Sequence, residues 1–274
     1  MNIKSLTEMM INAGIEENEA KYEIKLLFEH FCNYTENDHI RGVELKSKDI
    51  ELVKEKILDR LKTKTPIQYI IGKSWFMGEW FKVNPNVLIP RDETELLVRE
   101  CIRIIKENSF KSVLDIGTGS GCIACTIAKQ TEATVLGVDI STDALRVALD
   151  NVTALNINNK AVFRKSDIFS KVRPEEKFDL IVSNPPYIPY GTKLSQEVMH
   201  EPKLALLAND NGIEFYKKII AQAHNFLKPN GYLLFELGID ESCQVKKLLK
   251  EKFLQINILK DMAEIDRVII AKLK

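Results

Sequence analysis

Apolar positions recur with two different periods along the chain, and the change falls near residue 72. Ahead of it the spacing is helical. Ala20, Ile24, Leu27, Phe28 and Phe31 make one apolar face, and Ile50, Val53, Ile57 and Leu61 follow at intervals of three or four. Ser47 stands where a hydroxyl caps that second helix. β-branched alternation is nearly absent, so residues 1–72 are predicted to form a small helical bundle. Two aromatic runs, Trp75-Phe76-Met77 and Trp80-Phe81-Lys82-Val83, then flank Gly78-Glu79 and predict a short hairpin within a connector over 73–90. These aromatics are expected to pack in the connector's core. Asp92 with Glu95 three residues on reads as a capping box ahead of Leu96, Leu97, Cys101, Ile104 and Ile105.

From Ser112 onward the rhythm is strand, loop, helix. Strand-like runs fall at Ser112–Ile116, Thr134–Val138, Ala161–Arg164, Phe178–Ser183, Gly231–Leu237, Gln255–Leu259 and Arg267–Leu273. Helical patterns are expected to separate the first five, most clearly at Cys122–Lys129, Thr142–Leu155 and Ile213–Leu227. Continuous apolar strands between helices imply a parallel sheet covered on both faces. The last two strands have no expected helix between them and should pair as an antiparallel edge hairpin. This α/β order over 91–274, with a seven-stranded sheet, resembles the class I (Rossmann-like) methyltransferases.

Composition narrows the function classes. Of 274 residues, 39 are Lys or Arg and 39 Asp or Glu, so no global basic field points to nucleic acid or an anionic membrane. Residues 1–15 lack a basic segment followed by an apolar run, and no apolar run approaches the roughly 20 residues of a membrane helix. The five cysteines are scattered, which fits reduced thiols in a cytoplasmic protein better than a disulfide framework.

Val113-Leu114-Asp115-Ile116-Gly117-Thr118-Gly119-Ser120-Gly121 is a strand entering a glycine-rich turn that opens a helix. Alternate glycines let the backbone turn sharply and let a ligand lie against it. Asp139, ending the next strand, is placed to accept hydrogen bonds from ribose hydroxyls. An acid there also marks dinucleotide folds, but the turn reads G-x-G-x-G rather than G-x-G-x-x-G, which favours S-adenosylmethionine over a nicotinamide cofactor. Asp167, after the third strand, would bond an adenine amino group or else cap a helix.

Asn184-Pro185-Pro186-Tyr187 follows the apolar strand Phe178–Ser183. An amide or exocyclic NH2 nitrogen shares its lone pair with a π system and is a poor nucleophile. Accepting hydrogen bonds from both its N–H groups favours a pyramidal nitrogen and frees the lone pair. The Asn184 side-chain oxygen and the Pro185 carbonyl can supply the two acceptors. The prolines fix φ and stiffen the loop, and Tyr187 offers a ring face to align a planar group. The four residues are thus candidate catalytic and substrate-binding residues for N-methylation, a chemistry that needs no metal.

These residues resemble the HemK/PrmC family of release factor glutamine methyltransferases over most of the chain. The likeness is tightest at Thr65-Pro66-Ile67-Gln68-Tyr69-Ile70-Ile71-Gly72, at Ile89-Pro90-Arg91-Asp92-Glu93-Thr94-Glu95-Leu96-Leu97, at Asn184–Tyr187, and at Glu197-Val198-Met199-His200-Glu201-Pro202-Lys203-Leu204-Ala205-Leu206. The resemblance implies that Gly117, Thr118, Gly119, Ser120, Gly121, Asp139, Asp167, Ile168 and Asn184 border S-adenosylmethionine. It implies that Asn184–Tyr187 hold the glutamine of a release factor's Gly-Gly-Gln motif. The composition shift near Gly72, with every cofactor motif downstream of Ser112, leads to the expectation that residues 1–72 recognise that protein. A monomer without direct nucleic-acid binding is expected. Ile168 falls where some members carry Trp, and Glu264 stands where Gly is expected in the last hairpin. The N-P-P-Y tetrapeptide is shared with DNA and ribosomal-RNA methyltransferases, so nucleic-acid exocyclic-amine methylation is the alternative. Cys122-x-x-Cys125 lies inside the helix after the glycine turn and reads as packing thiols; His200, in the loop that resembles the family's, is a candidate substrate contact.

Overall fold

The computed structural model describes residues 2–274, and the chain divides into two compact units. The first comprises residues up to Gly72 together with Ser195–His200. Its helices are α1 (Ile3–Asn12), α2 (Glu17–Cys32), α3 (Glu36–Ile40), α4 (Ser47–Thr63) and α5 (Ile67–Ile71). The apolar faces read from the sequence meet in one core of Leu6, Met10, Ile24, Leu27, Phe28, Val53 and Ile57. Ser47 does not cap: it is the first residue of α4, and Lys46, extended and without a side-chain bond, holds the cap position. The Asp49 carboxylate in the first turn suits the helix dipole instead. Within this unit Arg60, 1% exposed, donates Nε to Glu23 Oε2 at 3.0 Å and Nη2 to Glu23 Oε1 at 2.7 Å. The same Nη2 lies 2.8 Å from Glu197 Oε1. Removing one partner from such a buried cluster costs about 3–5 kcal/mol.

The second unit spans Lys73–Leu194 and Glu201–Lys274. In chain order it contains β1 (Lys73–Phe76), β2 (Glu79–Lys82), α6 (Asp92–Asn108), β3 (Ser112–Ile116), α7 (Cys122–Gln130), β4 (Thr134–Asp139), α8 (Thr142–Ala154), β5 (Ala161–Lys165), β6 (Phe178–Ser183), β7 (Ile188–Pro189), α9 (Lys203–Leu206), β8 (Leu207–Ala208), α10 (Glu214–Ala223), β9 (Leu227–Glu236), α11 (Ser242–Leu249), β10 (Phe253–Lys260) and β11 (Asp266–Leu273). The main sheet has seven strands in the order β10-β11-β9-β6-β3-β4-β5. β3 pairs in parallel with β4 and β6, while β11 runs antiparallel to β9 and β10, as the apolar runs imply. Alternate residues serve opposite faces: Val113, Leu180 and Val182 join a core with α6 and α7, and Leu114, Ile116 and Ile181 join one with α10 and α11. No helix among the described residues is long and apolar enough to cross a membrane.

Several local expectations are corrected. Arg91, not Asp92, occupies the cap of α6 and makes no side-chain cap bond, while Glu95 accepts the Met77 N–H at 2.8 Å instead of closing a capping box. The β5–β6 crossover carries no helix. Residues 166–177 form turns closed by the Arg164–Glu176 pair, at 2.7 and 2.9 Å, and interrupted by Pro174. Helix α11, unexpected between β9 and β10, buries only Val245 and Leu249 among the apolar positions of its two turns, too few to show a period. The aromatic hairpin divides by face. Phe76 and Phe81 pack in the core, whereas Trp75 and Trp80 stack edge-to-face on the exposed side. Its Lys82 backbone is held by Asn151 of α8, which accepts the N–H at 2.7 Å and donates to the carbonyl at 3.0 Å.

Glu264 turns the final hairpin with φ of +61°. Asp261 supports the turn by accepting N–H bonds from Ala263 at 2.9 Å and Ile265 at 3.1 Å. A left-handed non-glycine residue costs roughly 1–2 kcal/mol, and glycine's extra freedom when unfolded offsets about half of the relief. Because Glu264 is exposed and loses only a 3.5 Å surface pair with Lys260, Glu264→Gly is expected to stabilise the protein by about 0.5–1 kcal/mol. Urea denaturation reads this as a higher midpoint at unchanged slope; a lower midpoint would show that the turn is unstrained.

Candidate active site

Strand order reverses at β3, where β4 and β5 lie on one side and β6 and β9 on the other. A cavity of about 290 Å³ opens there, at the carboxyl ends of the strands. Gly117, Gly119, Asp139, Asp167, Ile168, Asn184, Pro185 and Pro186 all line it. Thr118, Ser120, Gly121 and Tyr187, also expected at the site, do not line it. Thr118 and Ser120 are buried behind the turn, where the Thr118 hydroxyl donates to Asp115 Oδ2 at 2.6 Å. Gly121 is the N-cap of α7. Gly117 adopts φ of +73°, and a Cβ there would meet no atom within 4 Å. The backbone is therefore bare toward the cavity, as a ligand lying against it requires.

Asp139 ends β4 with its carboxylate already engaged. Oδ2 accepts the Gly119 N–H at 2.9 Å, and Oδ1 accepts the Ser141 N–H at 2.8 Å. Burial pushes its carboxyl above the usual range, while these backbone bonds favour the charged form. With the Ile140 N–H also directed at it, the carboxylate keeps one lone-pair direction for a further donor, such as a ribose hydroxyl. Asp167 sits on an exposed turn, its N–H donated to Ser170 Oγ at 3.0 Å, and caps no helix. Ile168 has φ of +50°, a rare conformation for a β-branched residue. The Ser166 hydroxyl donates to its carbonyl at 2.9 Å and holds it there. Strain of about 1–3 kcal/mol is thus stored on the cavity wall.

Asn184 leaves β6 with Nδ2 donated to Thr94 Oγ1 at 3.2 Å. Thr94 in turn donates to Glu236 Oε2 at 2.6 Å, and the Tyr187 hydroxyl lies 3.4 Å from Glu236 Oε1. Burial pushes the Glu236 carboxyl up to about 7 and raises the Tyr187 hydroxyl further. Gly212 passes close behind Tyr187, where an added Cβ would come within 2.4 Å of the Tyr187 carbonyl oxygen. Glu201 accepts from the Ile89 N–H at 3.0 Å and from the Arg91 guanidinium, tying together the segments that border the cavity at Asn86–Leu88 and at Pro202–Ala205. His200 instead bonds the Thr63 carbonyl in the helical unit, at 2.8 Å. Cys122 and Cys125 are buried in the core, and burial pushes the Cys122 thiol up to about 12.

Glu236 was not singled out by sequence reasoning, and Thr94 and Glu201 were noted only as parts of motifs. Glu236 carried a usable signal, because like Asp139 it is an acid closing an apolar strand.

A bare glycine turn, an acid at the end of the neighbouring strand and N-P-P-Y across the switch point, on this mixed sheet, define a Rossmann-like methyltransferase. Residues 107–267 match the family described as "Methyltransferase domain". A release factor glutamine methyltransferase of Clostridium acetobutylicum is 42% identical over 77% of this chain and 76% of its own length. One from Fusobacterium nucleatum subsp. nucleatum is 40% identical over 84% of this chain and 66% of its own. The chain belongs to the release factor glutamine methyltransferase family. Its fold is also that of a T. thermophilus 16S rRNA N2 methyltransferase solved with AdoMet and guanosine, at TM-score 0.56 and 22% identity over 74% of this chain and 50% of that one.

Asp115, fully buried beneath the turn, has its carboxyl pushed from 3.8 to about 7 by burial, against the Thr118 bond. The folded state therefore binds more protons than the unfolded state between about pH 4 and 7, and this group's contribution to stability falls as pH rises through that window. Asp115→Asn cannot ionise. Its stability relative to wild type should rise by roughly 1.4 kcal/mol per pH unit across the window and level off above it. Urea melts at pH 5 and pH 8 that show the same difference at both would mean Asp115 does not ionise at a burial cost.

Proposed function

We propose that this chain transfers a methyl group from S-adenosylmethionine to the side-chain amide nitrogen of the glutamine in a release factor's Gly-Gly-Gln motif. The observation that carries the reading is Asn184, fixed at the cavity rim by its own NH2 group, in a chain 42% identical to a protein of that name. Gly117, Gly119, Asp139, Asp167 and Ile168 would hold the cofactor, with Thr118, Ser120 and Gly121 shaping the turn behind it. Bound there, S-adenosylmethionine supplies an electrophilic methyl carbon on a sulfonium. Asn184 Oδ1 and the Pro185 carbonyl accept the two amide N–H groups, so that the nitrogen lone pair turns toward that carbon. Pro186 stiffens the loop, and Tyr187, backed by Glu236 and Gly212, aligns the planar amide. As the N–C bond forms and the S–C bond breaks, nitrogen becomes cationic and then releases a proton to water. No strong base is needed beforehand.

The setting is a monomer in the cytoplasm with no direct nucleic-acid contact, consistent with the equal charge counts and five free cysteines. Residues 1–72 serve recognition of the release factor. In support, every cavity-lining residue lies outside this helical unit, and the unit takes in Ser195–His200 from the loop following N-P-P-Y. A chain beginning at Lys73 should retain S-adenosylmethionine binding by calorimetry but methylate intact release factor poorly. Full activity of that chain would remove the recognition role.

Two substitutions separate the two halves of the site. Asp139→Ala is expected to weaken S-adenosylmethionine binding by about tenfold to a hundredfold, the loss of hydrogen bonds to a charged acceptor. Asn184→Ala should abolish most turnover while cofactor affinity falls far less. Mass spectrometry of release factor, ribosomal RNA and DNA, each incubated separately with enzyme and cofactor, locates the product. Methyl gain on either nucleic acid, or gain on glutamine that survives Asn184→Ala, contradicts the proposal.

A further inference from the structure

We infer that Thr94 and Glu236 are positioning residues, which lock the Asn184 amide so that its oxygen rather than its NH2 group is offered to the substrate. The inference rests on the function proposed above and adds two residues to it. An asparagine side chain has two ends of equal size and opposite hydrogen-bonding sense. Rotated by half a turn, Asn184 would present two donors to an amide that itself brings donors, and one of the two acceptors that align the nitrogen for transfer would be lost. Something must choose the orientation.

The chain of contacts makes that choice. Thr94 Oγ1 lies 2.6 Å from Glu236 Oε2 and 3.2 Å from Asn184 Nδ2. An ionised carboxylate only accepts, so the single hydroxyl proton of Thr94 goes to Glu236. The hydroxyl then has only lone pairs left for Asn184, and the amide group facing it must be NH2. Oδ1 is turned the other way. In a helix, a threonine hydroxyl commonly bonds the carbonyl one turn back; here it is directed to Glu236 instead. Thr94 and Glu236 are 2% and 1% exposed, so the bond between them is shielded from water, and Asn184, half-buried at the cavity, meets a hydroxyl that is itself buried. The second carboxylate oxygen of Glu236 faces the Tyr187 hydroxyl at 3.4 Å, so one buried acid serves both ends of N-P-P-Y. Arg267, from β11, favours its ionised form, and Glu93 opposes it.

The test compares Thr94→Val, which removes the hydroxyl at equal volume, with Thr94→Ser, which keeps it. Both are assayed on intact release factor at pH 8, where Glu236 is ionised. Thr94→Val should lower kcat by about tenfold to a hundredfold with KM for release factor and affinity for S-adenosylmethionine nearly unchanged, and Thr94→Ser should recover most of the loss. Should Thr94→Val fail to fold, Thr94→Cys, a weak donor of similar size, takes its place with the same expectation. A valine variant with wild-type kcat, or a serine variant as impaired as the valine one, overturns the inference. A second arm needs no substrate. The Asn184 side-chain NH2 resonance, assigned by its disappearance in Asn184→Ala, should exchange slowly with solvent in wild type and Thr94→Ser and fast in Thr94→Val. Equal exchange in all three overturns the inference. Wild-type enzyme that leaves the glutamine unmethylated while this exchange pattern holds would instead overturn the substrate proposed above.

Discussion

Parallel pairing of β3 with β4 and β6 is the constraint on which the site depends. Neighbouring strands lie roughly 4.8 Å apart, and parallel strands all end on the same edge. Residues as distant in sequence as Gly117, Asp139 and Asn184 are thereby brought to the walls of one cavity. The register carries the precision. Ile116 sits opposite Val138 and Ser183, so the residues that follow each strand leave the sheet at the same level. The Ser183 hydroxyl reinforces this at the point of departure, donating to the Ile116 carbonyl at 2.7 Å. A one-residue slip of β6 would move Asn184 from this edge and turn the apolar strand's faces over.

The same edge concentrates carboxylates that burial disfavours. Asp115, Asp139 and Glu236 all have raised pKa values with burial as the leading cause. Each is retained in a position where it directs hydrogen-bonding groups that face or back the cavity. Asp115 fixes Thr118 inside the turn, Asp139 gathers the Gly119 and Ser141 N–H groups, and Glu236 holds Thr94 and Tyr187. Burying an ionisable group destabilises the fold, but it excludes the water that would otherwise compete for those bonds. The left-handed Ile168 belongs to the same trade: local strain is kept on the cavity wall where a relaxed turn would place the side chain elsewhere.

What could be read from residues alone follows how locally each feature is encoded. The seven strands and their antiparallel end were legible because buried strands form unbroken apolar runs. Gly117, Asp139 and Asn184 were legible because backbone freedom, a strand-end acid and an N-P-P-Y loop are each written within a few residues. Helix α11 was hidden because two buried positions make no period, and the capping boundary at Asp92 because Glu95 was drawn to a partner 18 residues away. Glu236 was overlooked for a related reason. Its place at the end of an apolar strand marks it as a strand-end acid, but its partners, Thr94 and Tyr187, are 142 and 49 residues distant, so the local sequence does not show what it holds.

Glu197 and Glu201 show how a short segment can be committed to two places. Only four residues apart, they end on different partners: Glu197 on buried Arg60 within the helical unit, Glu201 on Ile89 and Arg91 within the sheet-bearing unit. In each bond one partner is buried, Arg60 or Glu201, and the other, Glu197 or Arg91, is more than a third exposed. Each therefore lies between the surface pair that contributes little and the buried pair that is costly to break. The stretch between N-P-P-Y and α9 is therefore not a free loop. Its path is set by two buried charges, and one of them belongs to the helical unit that contributes no residue to the cavity wall. Ser195–His200 therefore packs as part of the helical unit, and Glu201 opens the return to the sheet-bearing unit with two bonds of its own.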